Sequence, residues 1–356
     1  MNRTLSLYLD ALRFSAAMVV FLSHAGTMRI SGGLLYQFQA YGQPAVDVFF
    51  VLSRLVIAHT VWTKERGARS YAINRAARIY SVVLPSLMLG LLLDRIGHAA
   101  NPKLYAQLTF YHAADWPGQL AASIAFVNQI WFGALVPGSN QPFWSLGYEV
   151  WYYVVFGVAA FAPSAWRWPA AAGVLLFVGP KIAVLFPLWL LGVAAYHCCR
   201  REVVGPRLAW VLCLAPLATL PLLMPPHGRS HWPYGMLDDT WGFAVDSRGD
   251  YALGVALALH LVGVHALHGR IPAVPDRMAA AVRRIAGATF TLYLLHYPLI
   301  HCLVAVMPWP NAAWQTRAAV FLGTPLVLLA VAQVTERRRD LWRRVFDAAW
   351  PRRVAS

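Results

Sequence analysis

Charged residues are scarce in this 356-residue chain and occupy only 13% of its positions. Soluble globular proteins carry about 25% charged residues, because a surface in contact with water needs polar groups. Apolar residues instead make up 59% of the sequence. The deficit excludes a soluble globular domain as the bulk of the chain and predicts that most of it faces lipid. Spans of about 20 residues each would leave room only for short loops.

Cysteine and acidic residues are also few. Four cysteines lie in or beside apolar segments, without metal-ligand spacing or a paired framework, and we expect them to be inert: Cys198, Cys199, Cys213 and Cys302. The 15 acids against 30 Lys and Arg give a net charge of +15. In a soluble protein this excess would suggest nucleic-acid binding, but in a membrane protein basic residues collect in cytoplasmic loops. We therefore expect no nucleic-acid partner.

Ten apolar stretches predict an all-α fold, a polytopic membrane helical bundle of about ten transmembrane helices. They run over 5–26, 44–62, 76–97, 143–162, 169–182, 183–199, 208–225, 250–268, 286–307 and 312–335. The pair within 169–199 is the weakest, because so short a segment would have to cross twice, and a single tilted span is the alternative. The apolar segment 119–135 fits a re-entrant or interfacial position better than an eleventh span.

The distribution of Lys and Arg predicts the orientation. If both termini are cytoplasmic, most basic residues outside the spans fall on the cytoplasmic side, notably in 63–79, in 269–285 and after Glu336. The sequence thus divides into a transmembrane domain, 1–335, and a basic cytoplasmic tail, 336–356. The tail could form an amphipathic helix on anionic lipid or act only as a topology anchor.

Ionisable residues inside apolar spans are functional candidates, because charge is costly to place in lipid. Arg13 and His24 share one face of the first span at different depths. Asp47 and Glu149, in the second and fourth spans, would lie near the level of His24. A carboxylate there could hold the imidazole in one tautomer while it removes a proton. The alternative is a satisfied interior histidine.

Other polar residues allow structural interpretations as readily as functional ones. Arg75 and Arg78 stand three apart at the start of a helix, which suits phosphate, but the preference of basic residues for cytoplasmic loops also explains them. Asp10 and Arg13 could neutralise one another. His296 lies within a span and is ambiguous. The remaining span histidines are interpreted as packing or interfacial residues: His59, His260, His265, His268 and His301.

Five stretches, in chain order, resemble the motifs of acyltransferase family 3, which comprises integral membrane O-acyltransferases of sugars and other hydroxyl compounds. They are LDALRFSAAMVVFLSH from Leu9, GQPAVDVFFVLS from Gly42, NRAARIY from Asn74, FWSLGYEVWYY from Phe143 and TFTLYLLHYP from Thr289. The resemblance implies transfer of an acyl group, most often acetyl from cytoplasmic acetyl-CoA, to an acceptor hydroxyl. We accordingly expect a multi-pass protein of the bacterial cytoplasmic (inner) membrane that acetylates a surface polysaccharide or its precursor.

The resemblance assigns residues by position. Arg13 and His24 match the signature Arg and His of the first helix, and Arg75 and Arg78 match the basic pair after the second span. Further matches are Asp47 before the paired Phe, the WSL-x-x-E element (Trp144, Ser145, Glu149) and the Y-x-x-H-x-P element (Tyr293, His296, Pro298). It implies His24, Glu149 and Asp47 as catalytic residues, Arg13, Arg75 and Arg78 as acetyl-CoA ligands, and Trp144, Ser145, Tyr293 and His296 as acceptor-binding residues. No metal is expected.

One departure from the family pattern bears on activity. Arg54 follows Ser53 where family members usually have Gly, a small residue that lets helices approach closely. The cation could narrow the donor channel, pair with Glu149 or Asp47, or abolish activity. A catalytically impaired binding homologue is therefore one alternative function. A transporter is the other, although two corresponding halves are not visible in the sequence.

Overall fold

The part of the chain that the computed structural model describes, residues 3–65, 67–202, 204–223, 247–272 and 274–350, consists of helices joined by loops, and no strand is present in it. The predicted all-α class is confirmed. The α-helices are α1 (Arg3–Ala25), α2 (Met28–Ser31), α3 (Gly42–Thr63), α4 (Ala68–Ala100), α5 (Pro102–Ala106), α6 (Trp116–Ile124), α7 (Trp144–Phe161), α8 (Arg167–Val178), α9 (Pro180–Val184), α10 (Phe186–Arg201), α11 (Pro206–Leu223), α12 (Ser247–Ala266), α13 (Asp276–Ala286), α14 (Thr289–Val306), α15 (Trp314–Ala318), α16 (Thr324–Val331) and α17 (Arg339–Ala349).

Seven helical segments in the described ranges are long and apolar enough to cross a membrane: Arg3–Ala25, Tyr36–Thr63, Ala68–Ala100, Pro180–Arg201, Gly249–Ala266, Thr289–Val306 and Trp314–Ala349. The chain is therefore a multi-pass membrane protein. The other three predicted spans are also helical, in α7, α8 and α11, but they are shorter or less apolar. The count of about ten spans and the cytoplasmic termini stay predictions.

The two segments whose sequences leave the number of membrane spans open, 169–199 and 119–135, are not continuous helices. Within 169–199, Gly179 (φ +86°) separates the 12-residue α8 from a single candidate span, Pro180–Arg201. Within 119–135, α6 ends at Ile124, and the backbone beyond it is not helical. A nine-residue helix is too short to span, so the segment does not form an additional transmembrane helix.

The helices divide into two compact units, and the first comprises residues 1–64, 130–134 and 176–289. In this unit α3 packs against α1, α10 and α12, while α11 packs on α12 and α13 on α1. Gly192 of α10 lies directly against the Val51 carbonyl of α3, and Gly263 of α12 lies against Ala209 of α11. Such small residues allow close approach of helix backbones, which is how packing is gained between apolar helices.

The second unit comprises residues 65–129, 135–175 and 290–356, with α4 in contact with α5, α6, α7 and α17. The tail helix α17 follows the first half of α4. Arg69 of α4 pairs with Asp347 at 2.8 Å and donates to the Trp350 carbonyl, and the rings of Tyr80 and Phe346 lie 5.8 Å apart. The predicted amphipathic tail is thus helical over Arg339–Ala349 and packs on protein through one face. Residues 351–356 of that predicted tail lie outside the described residues, and the boundary at 335/336 stays a prediction.

Replacement of Gly192 by Ala should destabilise the first unit. The added methyl group would overlap the Val51 carbonyl, and forcing extra atoms into a packed interface costs about 1–3 kcal/mol. We expect thermal unfolding of the purified protein in detergent to shift downward by roughly 2–4 °C per kcal/mol. Gly173 of α8 is the matched control, because a Cβ there meets nothing within 4 Å. Equal melting temperatures for Gly192→Ala and Gly173→Ala would contradict the close helix contact.

Candidate functional site

In the first unit, the predicted residues His24 and Asp47 lie on two helices that pack together, α1 and α3. Gly42, at the start of α3, lies against Ser23, with 2.6 Å between an added Cβ and the serine Oγ. The end of α1 and the start of α3 are therefore neighbours. Asp47 is buried and His24 is partly buried. Both parts of a histidine–carboxylate arrangement are present at one end of this helix pair.

Arg13 lies on α1 about three turns before His24. Its Nη1 is 3.8 Å from Asp10 Oδ1, and its Nη2 donates to the Leu52 carbonyl of α3 at 3.5 Å. The predicted neutralisation of Asp10 and Arg13 is therefore seen in the structure. The contact with the Leu52 carbonyl shows that Arg13 also links α1 to α3, about three turns away from His24.

Arg54 is completely buried and stacks on an aromatic ring. Its guanidinium carbon lies 3.9 Å from the centre of the Trp189 ring on α10, which is also buried. Gly192, one turn further along α10, faces Arg54, and a Cβ added to this glycine would lie only 2.6 Å from the Arg54 Cβ. The small residue at this crossing is thus on α10 rather than on α3, which gives the arginine the room that its size requires.

In the second unit, two of the motifs meet through a pair of hydroxyl groups. Ser145 Oγ of α7 and Tyr293 Oη of α14 are 2.7 Å apart. Both are buried, and both lie within hydrogen-bond distance of the Pro142 carbonyl, at 3.3 Å and 3.2 Å. The structure therefore brings the WSL-x-x-E and Y-x-x-H-x-P elements together at their polar residues.

His296 and Glu149 lie on the same two helices. His296 is fully buried, and its Nδ1 donates to the Leu292 carbonyl at 3.0 Å. Because a carbonyl can only accept, Nδ1 carries the proton, and Nε2 is the acceptor in the neutral ring. Glu149 accepts a hydrogen bond from Tyr153, one turn later on α7. Trp144, also buried, packs edge-on against Tyr148.

The two arginines predicted to bind phosphate both lie on α4, each near an acidic residue. Arg75 Nη2 is 2.7 Å from Glu65 Oε1, and the exposed fractions of the two side chains are 13% and 3%. Arg78 lies near Glu336, a carboxylate that accepts the backbone N–H groups of Phe290 and Thr291 at the start of α14. The sequence predicted the shared helix but neither acidic partner.

An apolar cavity of about 510 Å³ borders Arg75 within the second unit. Its walls come mainly from α4 and α7, and Trp350 contributes from the segment after α17. Small residues such as Ala72 and Gly157 leave the space open. Arg75 is therefore paired with Glu65 and also borders an apolar cavity.

Asp94 is a buried carboxylate that the sequence analysis did not identify. It lies near the end of α4 and accepts hydrogen bonds from Ser139 N at 2.7 Å and Ser139 Oγ at 2.6 Å. Gly138 (φ +60°) fits against the same carboxylate, where a Cβ would collide. Burial and the adjacent Asp94 raise the pKa of Tyr105, so that this phenol stays protonated. Because Asp94 falls in the predicted span 76–97, the rule that flags charged residues in lipid could have found it.

Some of the other polar residues have local partners. His260, for example, donates from Nδ1 to the Cys213 carbonyl at 2.7 Å, which leaves Nε2 to accept from Tyr8 Oη at 2.6 Å. The four cysteines carry free thiols. Within the described ranges, no group of three His, Cys, Asp or Glu side chains is arranged to hold a metal ion.

Comparisons with known proteins extend the resemblance over nearly the whole chain. A family model described as an acyltransferase domain matches residues 6–333. The acyltransferase MdmB of Streptomyces mycarofaciens is 26% identical over 191 residues, which are 50% of this chain and 47% of that protein. The chain thus aligns with about half the length of this relative. No solved structure is significantly similar to the chain. Since the family model covers more than half of the sequence, the chain belongs to acyltransferase family 3, a family of membrane acyltransferases.

Proposed function

We propose that this membrane acyltransferase transfers an acetyl group from acetyl-CoA to a hydroxyl group of a sugar in a surface polysaccharide or its precursor. The observation that carries the proposal is the placement of His24 and Asp47 on two packed apolar helices, α1 and α3, of a family 3 member. A histidine is the side chain best suited to proton transfer near neutral pH.

In the proposed reaction, neutral His24 removes the proton of the acceptor hydroxyl while the hydroxyl oxygen attacks the thioester carbon. The tetrahedral intermediate then expels the CoA thiolate, which takes the proton from the imidazolium, and the new oxygen ester leaves with the acceptor. Asp47 would hold the imidazole in the required tautomer and stabilise its charged form. Glu149 is the second carboxylate candidate for this catalytic group. An acyl-histidine intermediate is the competing version, and acetylation of the protein in the absence of acceptor would reveal it.

The donor phosphates would bind to Arg75 and Arg78, and Arg13 would contact the arm of acetyl-CoA. A guanidinium presents five donors in a planar fork, which suits phosphate oxygens. The Ser145–Tyr293 hydroxyl pair, His296 Nε2 and Trp144 supply hydrogen-bonding and aromatic groups for a sugar acceptor. The proposed location is the bacterial cytoplasmic membrane, with both termini in the cytoplasm.

Replacement of His24 by Ala should abolish most acetyl transfer. General-base catalysis contributes about 10²–10⁴-fold to a rate, so we expect kcat to fall in that range while acetyl-CoA binding is retained. The measurement is transfer of radiolabelled acetyl groups by the purified protein in proteoliposomes. His59 of α3 is partly buried, as His24 of α1 is, so His59→Gln is the matched control and should keep its activity. Full activity of His24→Ala would refute the assignment.

Replacement of Arg75 by Gln should raise the KM for acetyl-CoA roughly 10- to 150-fold with little change in kcat, because a charge-assisted phosphate contact is worth roughly 1.5–3 kcal/mol. The same variant should behave like the wild type with acetyl-pantetheine, which lacks the nucleotide phosphates. Arg69→Gln is the control, since Arg69 lies on α4 as Arg75 does but pairs with Asp347 of α17. An equal loss with both donors would show that Arg75 supports the fold rather than the phosphates.

Deletion of the gene should remove an acetyl increment from the surface glycans of the cell, as read by mass spectrometry. Unchanged glycans would contradict the proposed acceptor class. Purified protein that binds acetyl-CoA yet acetylates no hydroxyl acceptor would instead favour the impaired homologue. Recovery of transfer in Arg54→Gly would then identify the buried cation as the cause.

A further inference from the structure

The polar cluster of α7 and α14 depends on a proline in the middle of α14. Pro298 has no N–H, so it cannot donate to the carbonyl four residues earlier, which is that of Leu294. Within an apolar helix, a carbonyl that loses its helical donor needs another one. Leu294 directly follows Tyr293, so the break in the helical hydrogen bonding lies next to the residue that carries one of the two paired hydroxyls.

A side chain from the loop before α7 supplies the missing donor. Asn140 Nδ2 donates to the Leu294 carbonyl at 2.8 Å, and Asn140 is buried. Because the carbonyl can only accept, the amide group must turn its nitrogen toward α14. The distance is that of a well-formed N–H···O bond.

The loop that carries Asn140 is fixed on its other side by α4. The preceding residue, Ser139, gives both its N–H and its hydroxyl to Asp94. One turn earlier on the same face of α4, Gly90 leaves room for the ring of Pro298, whose Cγ would lie 3.7 Å from an added Cβ. One face of α4 therefore supports both the loop and the proline that removes the helical donor.

We infer that Asn140 is a positioning residue that replaces the hydrogen-bond donor lost at Pro298, and thereby sets the register of α7 against α14. This register places Ser145 against Tyr293 and fixes the backbone that leads to His296. The part of the inference that concerns catalysis rests on the proposed acetyl transfer. The part that concerns the hydrogen bond does not.

A double-mutant cycle between Asn140 and Pro298 tests the inference. Asn140→Ala, and the similarly sized Asn140→Leu, which has no donor group on its side chain, should lower the melting temperature and lower kcat about tenfold, because a buried carbonyl is left without a donor. The KM for acetyl-CoA should change less than about threefold, since the proposed phosphate ligands lie on α4 and not in the loop that carries Asn140. In a Pro298→Ala background the restored N–H can donate to Leu294, so the penalty of Asn140→Ala should shrink in both readouts.

The matched control is Asn128→Ala. Asn128 is a second buried asparagine of the same unit whose Nδ2 donates to a backbone carbonyl, that of Leu135 at 3.2 Å, where no proline is involved. Its penalty should be the same in the wild-type and Pro298→Ala backgrounds. Equal penalties for Asn140→Ala in the two backgrounds, or relief of Asn128→Ala as well, would overturn the inference.

The melting temperatures keep the test independent of turnover. If the wild-type protein transfers no acetyl group, the proposed function fails while the thermal cycle still decides whether Asn140 replaces the missing donor. If Pro298→Ala is inactive but folded, the thermal cycle decides in the same way. If Asn140→Ala alone does not fold, recovery of a folded protein in Asn140→Ala with Pro298→Ala supports the inference, and failure to recover it overturns it.

Discussion

Hydrogen bonds that satisfy polar groups within apolar helices are the constraint on which this structure depends. Water is absent from the core of a bilayer, so each N–H, carbonyl and carboxylate there needs a partner from the protein. The second unit meets this requirement by grouping its polar residues. Asp94 receives two donors from Ser139, and the Pro142 carbonyl lies within reach of both Ser145 and Tyr293. The groups proposed to bind the acceptor hydroxyl are therefore held by the same hydrogen bonds that satisfy the buried polar groups of the fold.

The buried arginine of the first unit obeys the same constraint by a different route. Desolvation of a guanidinium costs several kcal/mol, whereas a cation–π contact with a ring such as Trp189 returns about 2 kcal/mol when it is desolvated. Stacking on Trp189 therefore offsets only part of the desolvation cost of Arg54. Asp47 lies two turns earlier on α3 and on the same face. The substitution of Arg for the usual Gly thus fits a charged helix face that already carries a carboxylate, and Gly192 supplies the missing space.

Periodicity and local spacing in the sequence predict the helices and the residues that share one. Apolar runs locate the helices to within a few residues, as in 286–307 for Thr289–Val306, and the spacing of Arg75 and Arg78 correctly puts both on one helix. Contacts between residues far apart in the sequence were not predictable in this way. Ser145 and Tyr293, or Asn140 and Leu294, are separated by about 150 residues, and no local pattern records their pairing. Asp94 was within reach of the sequence argument, because a carboxylate in an apolar span already signals a buried partner.

The ion pair of Arg75 bears on whether that residue could also hold a phosphate. Glu65 accepts from guanidinium Nη2 and also from Asn74, so the carboxylate fixes the orientation of the arginine. A carboxylate that is almost fully buried is costly without its cation, so Glu65 also keeps the guanidinium from turning away from α4. The partner therefore orients Arg75 before any ligand arrives. An arginine free in solvent would lose side-chain entropy on binding, whereas this one has lost it already on folding.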